Sequence, residues 1–272
     1  RLEYWAERTG FLVLGVQSPG TGRVIPGPQS LRVTTQRGFR GLAADCAEEL
    51  AAEIGDFPNR IGFGDSGRVV LTACMANGWQ ARYPDQPPLF TNMLLRDGGN
   101  LRAPEPRAAG RRRLLTQSNV SLRDQEKMVV NAGRSAGLPV GLSEELATHI
   151  RDFQAERRTP SPRLHALRKA TEILLHNGIM CSPLSREAVE DVARNPRIAL
   201  LHIGLTRGIA GTHRQAVTFN ARLGELRADT APSSQGVSDL EAHTVPGRHV
   251  DLLHPHLALT HLEQAAALKS VA

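Results

Sequence analysis

Aromatic residues make up only 4% of this 272-residue chain, and none falls between Thr91 and Arg151. That scarcity argues against a single-strand nucleic-acid binder, because such proteins stack bases on aromatic side chains. The basic group formed by Arg107 and Arg111 to Arg113 lies inside this aromatic-free stretch, so it reads as a charged loop rather than a nucleic-acid site. Cysteine is also scarce. Cys46, Cys74 and Cys181 are too few and too scattered for a disulfide framework, and none stands in a Cys-x-x-Cys pair, so no metal site is expected and a reducing cytoplasmic setting fits. No stretch approaches the roughly 20 consecutive apolar residues needed to cross a bilayer, and the alternation of His, Ala and Leu in the last segment gives no amphipathic membrane face. No internal repeat is visible, and nothing near Arg1 reads as a secretory leader. With Arg1 as its first residue, the chain reads as a piece of a longer protein.

What is present is ordinary for a globular domain: 40% hydrophobic and 22% charged residues, at a length near the upper end for one domain. The net charge of +6 and a pI near 9.9 favour an acidic partner without identifying it.

Along the chain, Phe11 to Val16 is a short apolar run ending in the turn-rich Gln17 to Gly22, which predicts a buried strand and a loop. Leu42, Cys46, Leu50 and Ile54 recur every four residues among Ala and Glu, which predicts an amphipathic helix over 41–54. Asn59 to Phe63 and Leu89 to Leu95 are strand candidates flanking a mostly apolar helix at Val69 to Ala76. The order β-α-β-α-β predicts an α/β protein with a parallel sheet covered on both faces. Residues 101–196 turn polar and helical and read as an insertion between two core segments, 1–100 and 197–272. Sheet character returns at Ile198 to Ile203 and, weakly, at Leu240 to Val245. The apolar periodicity of Leu252 to Leu268 predicts a closing helix.

Three residues stand out. Gly64-Asp-Ser-Gly-Arg68 lies between a strand and a helix, where a nucleophile elbow sets a serine on a tight turn with its hydroxyl exposed. Ser66 is therefore a candidate nucleophile, although a serine in a Gly-rich turn also serves as a simple cap. Asp97 follows the next strand at the carboxyl edge, where α/β sheets gather their active groups; Asp-Gly-Gly is equally a turn signal. His249 precedes the final helix and completes the order Ser, Asp, His. His254, His256 and His261 lie nearby as competing bases, and Asp251 competes with Asp97 as the group that orients the imidazole.

On these residues the chain resembles the type I thioesterase domains that end fatty-acid synthases, polyketide synthases and nonribosomal peptide synthetases. Leu14-Gly-Val-Gln17 looks like the segment after the family's strand, and the likeness continues through Leu42 to Ile54, Pro58 to Ile61, Val70 to Ala76 and Leu94 to Gly98. Val245-Pro-Gly-Arg-His-Val-Asp-Leu-Leu253 resembles the stretch around the family's catalytic histidine. About half the chain is covered, and the fatty-acid-synthase type is the nearest. Arg68 stands where the family has a small residue, Asp65 where it favours an aromatic, and Arg248 where it usually has Asp.

The resemblance implies an α/β-hydrolase fold with a mostly parallel central sheet flanked by helices, and a helical lid at 101–196. It implies an acyl carrier protein as partner, with the acyl thioester held on that partner's phosphopantetheine and no further cofactor. It also implies a Ser66, His249, Asp97 mechanism through an acyl-enzyme. The Gly67 amide would serve as one oxyanion donor, and the loop that supplies the other should precede Leu2. Losing one such donor typically slows turnover roughly 100- to 1000-fold, so a slow enzyme is one expectation. A catalytically impaired α/β-hydrolase-like acyl-binding or docking module is the alternative.

Overall fold

The computed structural model describes residues 2–16, 36–55, 57–98, 183–208, 212–230 and 236–271. The chain divides into two compact units, one of Arg1–Gly15, Gly41–Ala103 and Pro183–Ala272, the other of Val16–Arg40 and Pro104–Ser182. Nearly all described residues belong to the first. In chain order its elements are α1 (Leu2–Thr9), α2 (Gln36–Ile54, in this unit from Gly41 on), β1 (Ile61–Asp65), α3 (Arg68–Arg82), β2 (Asn92–Arg96), α4 (Pro183–Arg194), β3 (Ala199–Arg207), α5 (His213–Thr230), β4 (Leu240–Arg248), a 3-10 turn (His249–Leu253) and α6 (Pro255–Ala267).

The four strands form one parallel sheet in the order β1-β2-β3-β4. Every residue of β2 is buried, as are Ala199 to Leu205 of β3. Such continuous burial is what a parallel sheet covered on both faces requires. Because side chains alternate along a strand, each face has its own set. Leu94, Ala199, Leu201 and Ile203 face α6 and pack with Leu262, Ala265 and Leu268, flanked by Ile61, Phe63 and Val245. Burying each leucine or isoleucine of this set is worth about 1.5–3 kcal/mol. Asn92 on this face donates to the carbonyls of Ala265 and Leu268 at 2.8 and 3.0 Å, satisfying the open C-terminal end of α6.

The other face carries α3, α4 and α5. Two glycines set its close approach. A Cβ on Gly64 would come within 2.9 Å of the Val69 backbone, and one on Gly204 within 3.0 Å of the Ala216 methyl. The first half of α3, Val69 to Ala76, is buried without interruption, and Asn77 ties it to the Ala188 carbonyl of α4 at 2.9 Å. Arg227 of α5 is buried and donates to three carbonyls, those of Ala193, Ser238 and Ile198.

The expected α/β class, with a parallel sheet flanked by helices, is what is observed. One strand expected from the sequence does not form: Phe11 to Val16 is irregular, and Phe11, Leu12 and Leu14 are exposed. A strand needs a neighbour for its N–H and C=O groups, and this run pairs with none of the four described strands. Helices α1 and α5 went unforeseen. The closing helix is also broken, because Pro255 cannot continue the preceding 3-10 turn and instead opens α6 at its first residue. Most of the expected lid lies outside the described residues. Its last part forms α4, which packs against α3 and α5.

Candidate active site

Ser66 opens the two-residue turn between β1 and α3 at φ 55°, a left-handed conformation uncommon for any residue with a Cβ. Three local features hold it there. Its N–H donates to the Arg96 carbonyl at 2.9 Å, its carbonyl accepts from the Val69 N–H at 3.1 Å, and Gly64 lets α3 start immediately beneath the strand. This is the geometry of a nucleophile elbow. Gly67 caps α3, so its amide belongs to the set of N–H groups at a helix start that have no intrahelical acceptor. Arg68 is exposed, which explains why a long side chain is tolerated where a small one is usual.

Asp97 follows β2 directly and also has a positive φ, 44°. Its N–H donates to the Ile203 carbonyl at 2.8 Å, and it is buried at 3% exposure. Two glycines shape the space around it. A Cβ on Gly98 would overlap Val69 and come 2.7 Å from the Ser66 carbonyl, so the Ser66 and Asp97 turns pack directly together. A Cβ on Gly208 would overlap the Asp97 carboxylate itself.

His249 opens the 3-10 turn after β4 and presents its Nδ1 to Asp97 Oδ2 at 2.6 Å. With the ring neutral, Nδ1–H donates to the carboxylate and Nε2 is left as the acceptor, as a general base requires. The ring is 29% exposed against 2% for the Asp97 side chain, so the pair has one wet end and one dry end. Asp251 is otherwise engaged, accepting from the Arg248 N–H at 2.6 Å to cap the turn that carries His249. No hydrogen bond joins the Ser66 hydroxyl to His249 among the described residues. Such contacts commonly tighten only when substrate is bound.

Sequence reasoning missed Arg96. It ends the apolar strand Asn92 to Arg96 fully buried, and it grips Asp65 through Nε to Oδ1 at 2.6 Å and Nη2 to Oδ2 at 2.7 Å. Asp65, which replaces the aromatic usual in the family resembled, is therefore the counter-charge of a buried arginine. The available signal was a lone cation closing an apolar strand, with an acid closing the strand before it, 31 residues earlier.

A buried histidine lies close to Asp97. His202 of β3 holds Asn220 Oδ1 at 2.7 Å through Nδ1, and Asn220 in turn donates to the Thr244 hydroxyl at 3.1 Å. Burial pushes the His202 imidazole below its ordinary range, so it is neutral at pH 7. A surface cleft of about 400 Å³, lined by Glu48, Ala51, Ala52, Trp79, Tyr83 and Gln86, involves the opposite end of α3 and contains none of the candidate residues. No group of three or more potential metal ligands occurs among the described residues, and no helix among them is long and apolar enough to cross a membrane.

No family model matches the sequence, and a comparison with curated proteins gives no match. Among solved structures, the chain is similar to a Mycobacterium tuberculosis protein described as the non-heme bromoperoxidase BpoC. That match has 13% identity and a TM-score of 0.40, and it covers 86% of this chain and 74% of that one. A homoserine O-acetyltransferase from Bacillus anthracis matches at 12% identity and a TM-score of 0.41, covering 98% and 74% of the two chains.

Proposed function

We propose that the chain is an α/β-hydrolase-type serine thioesterase, which transfers an acyl group from a thioester substrate to the Ser66 hydroxyl, releasing the thiol, and then to water. The observation that carries the serine-hydrolase part is the 2.6 Å contact between His249 Nδ1 and Asp97 Oδ2, formed beside a serine held at positive φ on a strand-to-helix turn. In this reading His249 Nε2 accepts the Ser66 proton as the hydroxyl oxygen attacks the thioester carbonyl. The proton then passes to the departing thiolate. Asp97 fixes the tautomer and stabilises the imidazolium, and the Gly67 N–H faces the developing oxyanion. Water, deprotonated by the same histidine, then releases the acid. The choice of a thioester, and of an acyl carrier protein as its bearer, rests on the likeness of 245–253 and the elbow region to synthase thioesterases. The net charge of +6 suits an acidic carrier.

Single-turnover reaction with a medium-chain acyl thioester, quenched for mass spectrometry, tests this. An acyl adduct on Ser66 that is absent from Ser66→Ala is expected. Folded protein giving neither adduct nor turnover would replace this reading with a non-catalytic acyl-binding or docking module.

A further inference from the structure

Three turns carry the candidate residues, and one side chain reaches the surroundings of two of them from the strand that bears the third. Arg96 immediately precedes Asp97. Its carbonyl accepts the Ser66 N–H at 2.9 Å, and its guanidinium binds Asp65, the residue before Ser66, at 2.6 and 2.7 Å. Nη2 also donates to the Leu252 carbonyl at 3.2 Å, inside the 3-10 turn that begins with His249. Nη1 lies 3.4 Å from His261 Nδ1 on α6, and the guanidinium stacks over the Phe63 ring at 5.1 Å. Arginine has only donors, so His261 Nδ1 accepts and that ring is neutral.

We propose that Arg96 is a positioning residue for the acyl-transfer reaction, holding the Ser66 turn and the His249 turn in register about Asp97. This rests on the serine-hydrolase reading above. β1 and β4 are the two edges of the described sheet, three strand spacings or roughly 14 Å apart. Their terminal turns must nevertheless converge. Backbone pairing sets only half of that convergence: it ties the Ser66 N–H to the Arg96 carbonyl, but on the other edge the ladder ends at Arg248, before His249. Arg96 crosses the gap with a planar, rigid set of donors, which fixes direction as well as distance. Arg96 is fully buried while Asp65 is partly exposed, and an ion pair that desolvates a charge contributes little net stability compared with apolar residues of similar volume, so its presence here is better explained by geometry than by stability. The same argument supplies a clean variant: replacing both members removes the tie without stranding a charge.

The test compares wild type, Arg96→Lys, and the paired variant Asp65→Leu with Arg96→Met, in pre-steady-state reaction with a chromogenic acyl ester. The burst amplitude counts competent Ser66 sites, and the burst rate reports their alignment. Misplacement of reacting groups by about 1 Å lowers rate roughly 100-fold, so a burst about 30- to 100-fold slower is expected in both variants, at unchanged amplitude and with KM within about threefold of wild type. A burst rate within about threefold of wild type would overturn the proposal. So would a reduced amplitude at the wild-type rate, which would give Arg96 only a part in folding. A wild type that forms no Ser66 adduct would remove the acyl-transfer reading and this inference with it. That outcome is distinct from the others because it appears before any variant is made.

Discussion

His249 and Asp97, 152 positions apart in the chain, meet at 2.6 Å, with the carboxylate buried and the ring partly open to solvent. That asymmetry has a consequence for chemistry. A buried carboxylate facing one imidazole nitrogen fixes which nitrogen is free.

Asp97→Asn should therefore keep the shape and lose the chemistry. The amide fits the same space but can donate to Nδ1, leaving the proton on Nε2, where it blocks general-base action. A fall of roughly 1,000- to 10,000-fold in acylation rate is expected, with thermal unfolding shifted by no more than a few degrees. Loss of rate accompanied by loss of folded protein in circular dichroism would instead give Asp97 a structural role.

Gly208→Ala offers a test of the same carboxylate from a different direction. An added methyl overlaps Asp97, so either the 208 backbone retreats or the carboxylate rotates away from His249. Overpacking of this kind costs about 1–3 kcal/mol in stability. Rotation of the acid by even about 1 Å should lower acylation about 100-fold. Urea unfolding and burst kinetics on the same variant separate the two effects, and wild-type values in both would mean that the carboxylate does not depend on this close approach.

Much of this arrangement was legible in the sequence. Strand and helix alternation from Asn59 to Leu95 follows from apolar runs punctuated by Gly, and the observed β1, α3 and β2 fall within a few residues of those runs, though α3 extends on to Arg82. Local pattern failed in several places, among them three with a clear physical reason. Phe11 to Val16 has the composition of a strand, but pairing is non-local and composition cannot supply a partner. Helix α5 carries Ala216, Phe219, Leu223 and Leu226 at helical spacing, a signal diluted by its many polar residues. Arg96 drew no notice because its meaning lies in Asp65 and Leu252, which the fold and not the sequence makes its neighbours.

Arg227 gives the fold a comparable dependence far from the elbow. Its guanidinium serves the carbonyls of Ala193, Ser238 and Ile198 at 2.7, 2.7 and 2.9 Å, joining the end of α4, the start of β3 and the approach to β4. Burial pulls it down to about 10, still well above neutral, so the charge persists at pH 7. Arg227→Met fills similar space and leaves three acceptors without donors. At about 1–3 kcal/mol for each buried acceptor, and allowing for incomplete additivity, a loss of at least about 3 kcal/mol in urea-measured stability is expected. A loss below about 1 kcal/mol would show that water replaces the guanidinium.

Acid sensitivity follows from two imidazoles that are buried among the described residues. Burial lowers His202, and burial together with the Arg96 charge lowers His261, relative to an ordinary histidine. In the unfolded chain both titrate near their usual value of about 6.5. Between that pH and the lower folded values, the unfolded state binds protons that the folded state refuses, so stability rises with pH and is lost as pH falls. Each histidine contributes a slope of up to about 1.4 kcal/mol per pH unit. The window from about 6.5 down to about 5 lies above the ordinary carboxylate range, so the loss there belongs to histidine. Urea midpoints at half-unit steps through this window should fall steadily in the wild type. His202→Gln removes one titrating group, so its slope should be visibly shallower even if its stability at pH 7.5 is lower. A wild-type midpoint that stays flat from pH 7 to 5 would mean that both rings accept protons in the folded state as readily as in the unfolded one.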